Sequence, residues 1–181
     1  MNGRMRELII GGARSGKSAH AETLAADSGL EVLVVVTAHA GDAEMAARIA
    51  RHRAARPAHW KVVEAPLDLA GALRTHAAPG RFIVVDCLTL WLSNLMLGPG
   101  LEPERSALLD VLPRLPGRVI LVSNEVGWGI VPENALARSF ADEQGRLNQA
   151  VAAACDRVTL VAAGLPLELK LPSIGSEGGR R

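Results

Sequence analysis

Within residues 8–22, LIIGGARSGKSAHAE, a short apolar run gives way to glycines and then to a helix-like stretch. Gly11, Gly16, Lys17 and Ser18 satisfy G-x-x-x-x-G-K-[ST], the phosphate-binding P-loop pattern. Glycine gives up side-chain burial and loses more backbone freedom on folding than any other residue. Packing alone therefore supplies no motive for Gly11, Gly12 and Gly16, whereas a bound anion does. Backbone N–H groups of residues 12–18 can converge on phosphate oxygens, and the helix that follows adds its N-terminal dipole. Lys17 can neutralise the β- and γ-phosphates, and Ser18 can coordinate Mg²⁺. The stretch Gly11, Gly12, Ala13, Arg14, Ser15, Gly16, Lys17 and Ser18 is thus expected to hold a nucleotide.

Beyond this loop, apolar runs alternate with helix-like segments. Residues 31–38, EVLVVVTA, and 81–88, RFIVVDCL, are rich in β-branched residues, as strands buried on both faces require. Further strands are expected over 7–10, 60–65, 117–126 and 157–164, with a short one near an edge over 166–171. Helices are expected over 17–27, 42–55, 67–76, 89–96, 104–115 and 134–156, the last interrupted near Gly145. Strands alternating with helices imply βαβ units and a mainly parallel sheet. Residues 1–170 read as a single α/β catalytic domain. The Gly- and Ser-rich residues 171–181 read as a disordered tail.

Bulk composition removes several classes of function. The 181 residues carry a net charge of +1 and only 3% aromatics, so neither a basic field nor a stacking platform for nucleic acid is expected. No apolar run approaches the ~20 residues of a membrane-spanning helix, and the N-terminus lacks the apolar core of a signal peptide. Cys87 and Cys155 do not form a CxxC pair and read as buried free thiols of a reducing compartment. The expected setting is cytoplasmic.

In open α/β sheets, ligands bind beyond the carboxyl ends of the strands. Thr37, Asp86, Asn124 and Glu125 each close an apolar run there. Asp86 either holds Mg²⁺ or its water, in the Walker-B manner, or caps the helix expected to start at Thr89. Residues 42–60 carry Arg48, Arg51, His52, Arg53, Arg56 and His59. These form a solvated helix face or meet polyphosphate. In the second case His52 serves as a general acid/base or as a nucleophile that takes up a nucleotide. Residues 122–134, VSNEVGWGIVPEN, put Trp128 on a glycine-rich loop suited to recognising substrate or phosphate. His20, His39 and His76 show no metal-ligand spacing.

Five blocks occur in order: GGARSGKS, EMAARIARHRAARPAHW, DCLTLWLSNL, SNEVGWGIVPEN and LARSFADEQGRLNQAVAAACDRVTLVAAGLPLELK. Together, over about residues 8–170, they resemble the bifunctional adenosylcobinamide kinase/adenosylcobinamide-phosphate guanylyltransferase family of cobalamin biosynthesis. The P-loop is shared with many NTPases; the later blocks are not. The resemblance implies a RecA-like P-loop fold and two reactions. An NTP, ATP or GTP, phosphorylates adenosylcobinamide. GTP then donates GMP to the resulting phosphate, giving adenosylcobinamide-GDP and pyrophosphate by way of a histidine-GMP intermediate. The family's histidine matches His52, and its nucleotide contacts fall on residues 11–18, on Thr37, Ala38 and His39, on His52, Arg53, Ala54 and Ala55, on Glu64 and on Asp86. Mg²⁺ would be held by Ser18 and Asp86. A homotrimer is implied. The loop over residues 123–134, SNEVGWGIVPEN, is expected to hold the corrinoid. No N-K-x-D guanine-reading motif is present, so the preference for GTP rests on the resemblance.

Overall fold

The apolar runs become seven strands: β1 (Met5–Gly11), β2 (Glu31–Val36), β3 (Lys61–Glu64), β4 (Arg81–Asp86), β5 (Arg118–Asn124), β6 (Arg157–Ala162) and β7 (Leu165–Lys170). They form one sheet ordered β3-β2-β4-β5-β1-β6-β7 in a computed structural model that describes residues 4–38, 56–98 and 100–172. All neighbours pair in parallel except β6 and β7, which are antiparallel. The helices are α1 (Lys17–Ala26), α2 (Leu69–His76), α3 (Leu88–Met96), α4 (Glu102–Val111) and α5 (Ala135–Ala154). The expected α/β architecture with a mainly parallel sheet is borne out. The helix expected over residues 42–55 lies outside the described residues, as do residues 173–181 of the expected tail.

Alternate residues of each central strand supply two apolar layers. Ile9, Val34, Val84 and Ile120 face α1, where Ala21 and Ala25 are fully buried. Small residues there let the helix lie close to the sheet, so the loop at its N-terminus sits over β1. Leu8, Val35, Val85 and Leu121 belong to the larger layer, with Leu73, Trp91, Leu108 and Leu147. Trp91 is fully buried, and its indole N–H donates to the Leu67 carbonyl at 2.7 Å.

Two helices depart most from the sequence expectation. The helix expected over 104–115 runs from Glu102 to Val111 and tightens into a 3₁₀ turn at Leu112–Arg114, where Pro113 has no N–H to give. Helix α5 is continuous through Gly145 rather than interrupted. A glycine there costs about 1 kcal/mol of helix propensity, which burial of Leu147 and Val151 on the same helix offsets. Asn134 caps its start, its Oδ1 accepting the N–H groups of Leu136 and Ala137 at 2.8 and 3.1 Å.

Candidate active site

The loop between β1 and α1 answers the glycine question with three separate reasons. A Cβ on Gly11 would lie 2.4 Å from the Val161 carbonyl oxygen and 2.6 Å from Ser15 Oγ. Packing against the end of β6 therefore does require Gly11, contrary to the sequence expectation. Gly12 has no neighbour within 4 Å of a built Cβ among the described residues, which leaves room there for an incoming ligand. Gly16 has φ +97° and caps α1 in the left-handed region. Arg14 also has positive φ, 56°, a conformation that non-glycine residues adopt at a cost and often at functional sites. Two such turns in three residues bend the loop into a concave nest of N–H groups. Ser15 Oγ is a buried hydroxyl with no hydrogen-bond partner among the described residues. A phosphate oxygen would satisfy it, so the loop fits an anionic ligand. Lys17 opens α1, is 8% exposed, and donates from Nζ to the Gly12 carbonyl at 3.1 Å.

Asp86 ends β4, with β5 between it and β1. No side chain caps α3, whose N-cap is Cys87. The helix-capping alternative for Asp86 is therefore not realised. Its Oδ2 instead accepts from Arg56 Nη2 at 2.5 Å, while Arg56 Nε donates to Glu22 Oε1 at 3.0 Å. Glu22 lies one helical turn beyond Ser18 on α1, hence on the same face. A guanidinium only 5% exposed thus bridges a β4 carboxylate and an α1 carboxylate. Asp86 and Ser18 have the oxygen chemistry of a Mg²⁺ site, and the guanidinium on Asp86 shows that the carboxylate is placed to receive a cation.

Thr37 stands beside them, fully buried. Its Oγ donates to the Cys87 carbonyl at 2.7 Å and accepts the Cys87 N–H at 3.0 Å. Its N–H donates to the Asp86 carbonyl at 3.1 Å, and its own carbonyl accepts from Asn94 Nδ2 at 2.8 Å. These bonds lock the ends of β2 and β4 together. Ala38 follows at the same edge, and Glu64 closes β3 with its side chain exposed. His39, His52, Arg53, Ala54 and Ala55 lie outside the described residues. Burial pushes the Cys155 thiol up to about 12 and raises that of Cys87 as well, so both are protonated near neutral pH. Among the described residues, no three His, Cys, Asp or Glu side chains gather to hold a metal.

Beyond β5 the chain is stitched to the loop: the Glu125 N–H donates to the Gly11 carbonyl at 3.1 Å. The segment that follows exposes Trp128, Ile130 and Val131 at 74, 98 and 73%. A polar cluster missed by the sequence reading braces this edge. Ser123 Oγ donates to Asn148 Oδ1 at 2.7 Å, and Gln144 Nε2 lies 3.0 Å from both acceptors. Asn148 Nδ2 donates to the Asn124 carbonyl at 3.1 Å. A legible signal existed. Gln144 and Asn148 stand four apart beside Leu147 and Val151, so they occupy the buried stripe of α5. Asn148→Ala leaves buried groups without partners and should cost about 1–3 kcal/mol, measured by urea unfolding.

A family model described as "Cobinamide kinase / cobinamide phosphate guanyltransferase" matches residues 7–169. The chain belongs to that family. It is 59% identical over 169 residues to the bifunctional adenosylcobalamin biosynthesis protein CobP of Pseudomonas aeruginosa, covering 92% of this chain and 98% of the relative. It is 42% identical over 182 residues to the bifunctional adenosylcobalamin biosynthesis protein CobU of Salmonella typhimurium, covering 92% of this chain and 100% of the relative. Among solved structures, a type III secretion system ATPase of pathogenic bacteria superposes with TM-score 0.57 at 12% identity, over 86% of this chain and 50% of that one. The RadB recombinase superposes with TM-score 0.51 at 18% identity, over 86% and 73%. These distant likenesses concern the fold, which is RecA-like as expected. Among the described residues, no helix is long and apolar enough to cross a membrane.

Proposed function

We propose that this family member carries out both reactions at the carboxyl edge of its sheet, in the cytoplasm. The observation that carries this reading is the convergence there of the glycine loop, Lys17 and Asp86. In the first reaction a hydroxyl of adenosylcobinamide attacks the γ-phosphorus of ATP or GTP. The loop N–H groups and Lys17 hold the phosphates in position, and preorganised charge of this kind supplies most of the rate in phosphoryl transfer. Ser18 and Asp86 would hold Mg²⁺, which would supply neutralisation of phosphate charge.

In the second reaction an imidazole nitrogen of His52 attacks the α-phosphorus of GTP. A P–N bond forms, and the P–O bond to pyrophosphate breaks. A phosphate oxygen of adenosylcobinamide phosphate then attacks the same phosphorus, releases His52 and gives adenosylcobinamide-GDP. Neutral imidazole is available for this near pH 7. His39, Arg53, Ala54, Ala55, Ala38 and Glu64 are assigned to the nucleotide on the family resemblance, with Thr37 supporting the edge they share. The exposed apolar side chains around Trp128 suit the corrinoid.

Incubation with α-phosphate-labelled GTP and Mg²⁺ tests the reading. The protein should retain acid-labile, base-stable label, and adenosylcobinamide phosphate should chase it off, more slowly in Trp128→Ala. A protein that takes no label would be a kinase alone. The assembly proposed is the homotrimer implied by the family, and Leu165, Leu167 and Leu169, exposed at 72, 59 and 55% on edge strand β7, offer it apolar surface. Light scattering should give three times the 19.1 kDa chain mass; a monomer mass would end that proposal.

A further inference from the structure

Among the described residues, Arg56 is a strongly buried charge at this edge that neither reaction uses. Its guanidinium is 5% exposed and lies 2.5 Å from Asp86 and 3.0 Å from Glu22. We propose that Arg56 and the divalent cation are alternative partners of Asp86: the ion that arrives with the nucleotide displaces Arg56 from Asp86, and Glu22 retains it. The proposal rests on the reading that Asp86 holds Mg²⁺.

The charges make exchange reasonable. One guanidinium is set against two carboxylates, Asp86 and Glu22, so the loss of one ion pair leaves the other in place. A divalent ion binds oxygen at about 2.0–2.1 Å. If it shared Asp86 with the guanidinium, two cations would meet within a few ångströms of one another, where like charges repel strongly. Full release of Arg56 would leave a buried charge unpaired, which is strongly disfavoured. Glu22 removes that difficulty by keeping one ion pair intact. Arg56 then stays beside Glu22, itself one turn of α1 from Ser18, as a second positive charge at this edge. An arginine suits this role better than a lysine, because its planar fork reaches two carboxylates at once.

The test is Mn²⁺ affinity of the full-length protein at saturating GDP, read by electron paramagnetic resonance of free Mn²⁺, so no turnover is needed. Arg56→Gln should bind Mn²⁺ about tenfold more tightly than the unaltered protein, the scale of an ordinary coupling between sites. In an Asp86→Asn background the same change should alter affinity by less than about twofold, because independent effects add and dependent ones do not. Arg56→Lys, which keeps the charge and is the milder change for folding, should give a smaller tightening with the same dependence on Asp86. Unchanged or weaker Mn²⁺ binding in both Arg56 variants overturns the proposal. So does an equal tightening with and without Asp86, which would mean that the arginine acts only through space. If Asp86→Asn alone leaves Mn²⁺ affinity unaltered, the metal role of Asp86 fails and the proposal falls with it.

Discussion

His52→Ala should abolish covalent labelling by α-phosphate-labelled GTP and lower guanylyl transfer by on the order of 10³-fold or more, with kinase activity held within a few-fold. The size of the effect follows from the chemistry. A nucleophile that forms the P–N bond has no partial substitute, because water in its place yields GMP rather than a protein-bound intermediate. The selectivity matters as much as the size. In the proposed mechanism, phosphorylation of the corrinoid hydroxyl uses the glycine loop, Lys17 and Asp86, and no covalent intermediate. A variant that loses both activities together would point to a folding defect or a shared role for His52, and the carrier assignment would fall. Arg51 adjoins His52 in IARHR, leaving His52 as the single histidine of those five residues. Residual label in the alanine variant would therefore have to sit on a residue elsewhere in the chain.

Much of this site was legible in the sequence because its physics is local. A glycine loop between an apolar run and a helix has few other uses, and β-branched runs ending in Thr37 and Asp86 mark the ligand-binding edge of a parallel sheet. What stayed hidden depends on contacts between distant segments. Gly11 looked like a residue kept only for an anion, yet the Val161 carbonyl, 150 positions along the chain, already excludes a Cβ. Arg56 stood in a run of charged residues that spacing alone could assign to solvent. Its place on Asp86, 30 residues away, depends on how β3 and β4 flank β2, and no local pattern encodes strand order. The polar cluster of Ser123, Gln144 and Asn148 was half legible. The helical period places Gln144 and Asn148 on the buried stripe, but their partner on β5 comes only from the packing of α5 against the sheet.

Lys17→Ala should depress both reactions, the kinase step by about 10²–10³-fold, the usual scale for removing one preorganised charge-stabilising group. Lys17 begins α1 directly after the left-handed Gly16, and its ammonium already lies 3.1 Å from the Gly12 carbonyl inside the loop. Little reorganisation is then needed when phosphates arrive. Thermal unfolding of the variant separates a lost charge from a lost fold. The stronger content of the prediction concerns GTP. The sequence contains a single G-x-x-x-x-G-K-[ST] match, and one nucleotide edge must serve both reactions if His52 works there. Lys17→Ala should therefore reduce α-phosphate labelling as well as kinase turnover, whereas His52→Ala removes only the label. Full labelling in Lys17→Ala with kinase turnover lost would show that GTP reaches His52 without the loop, and the two reactions would then require separate nucleotide sites.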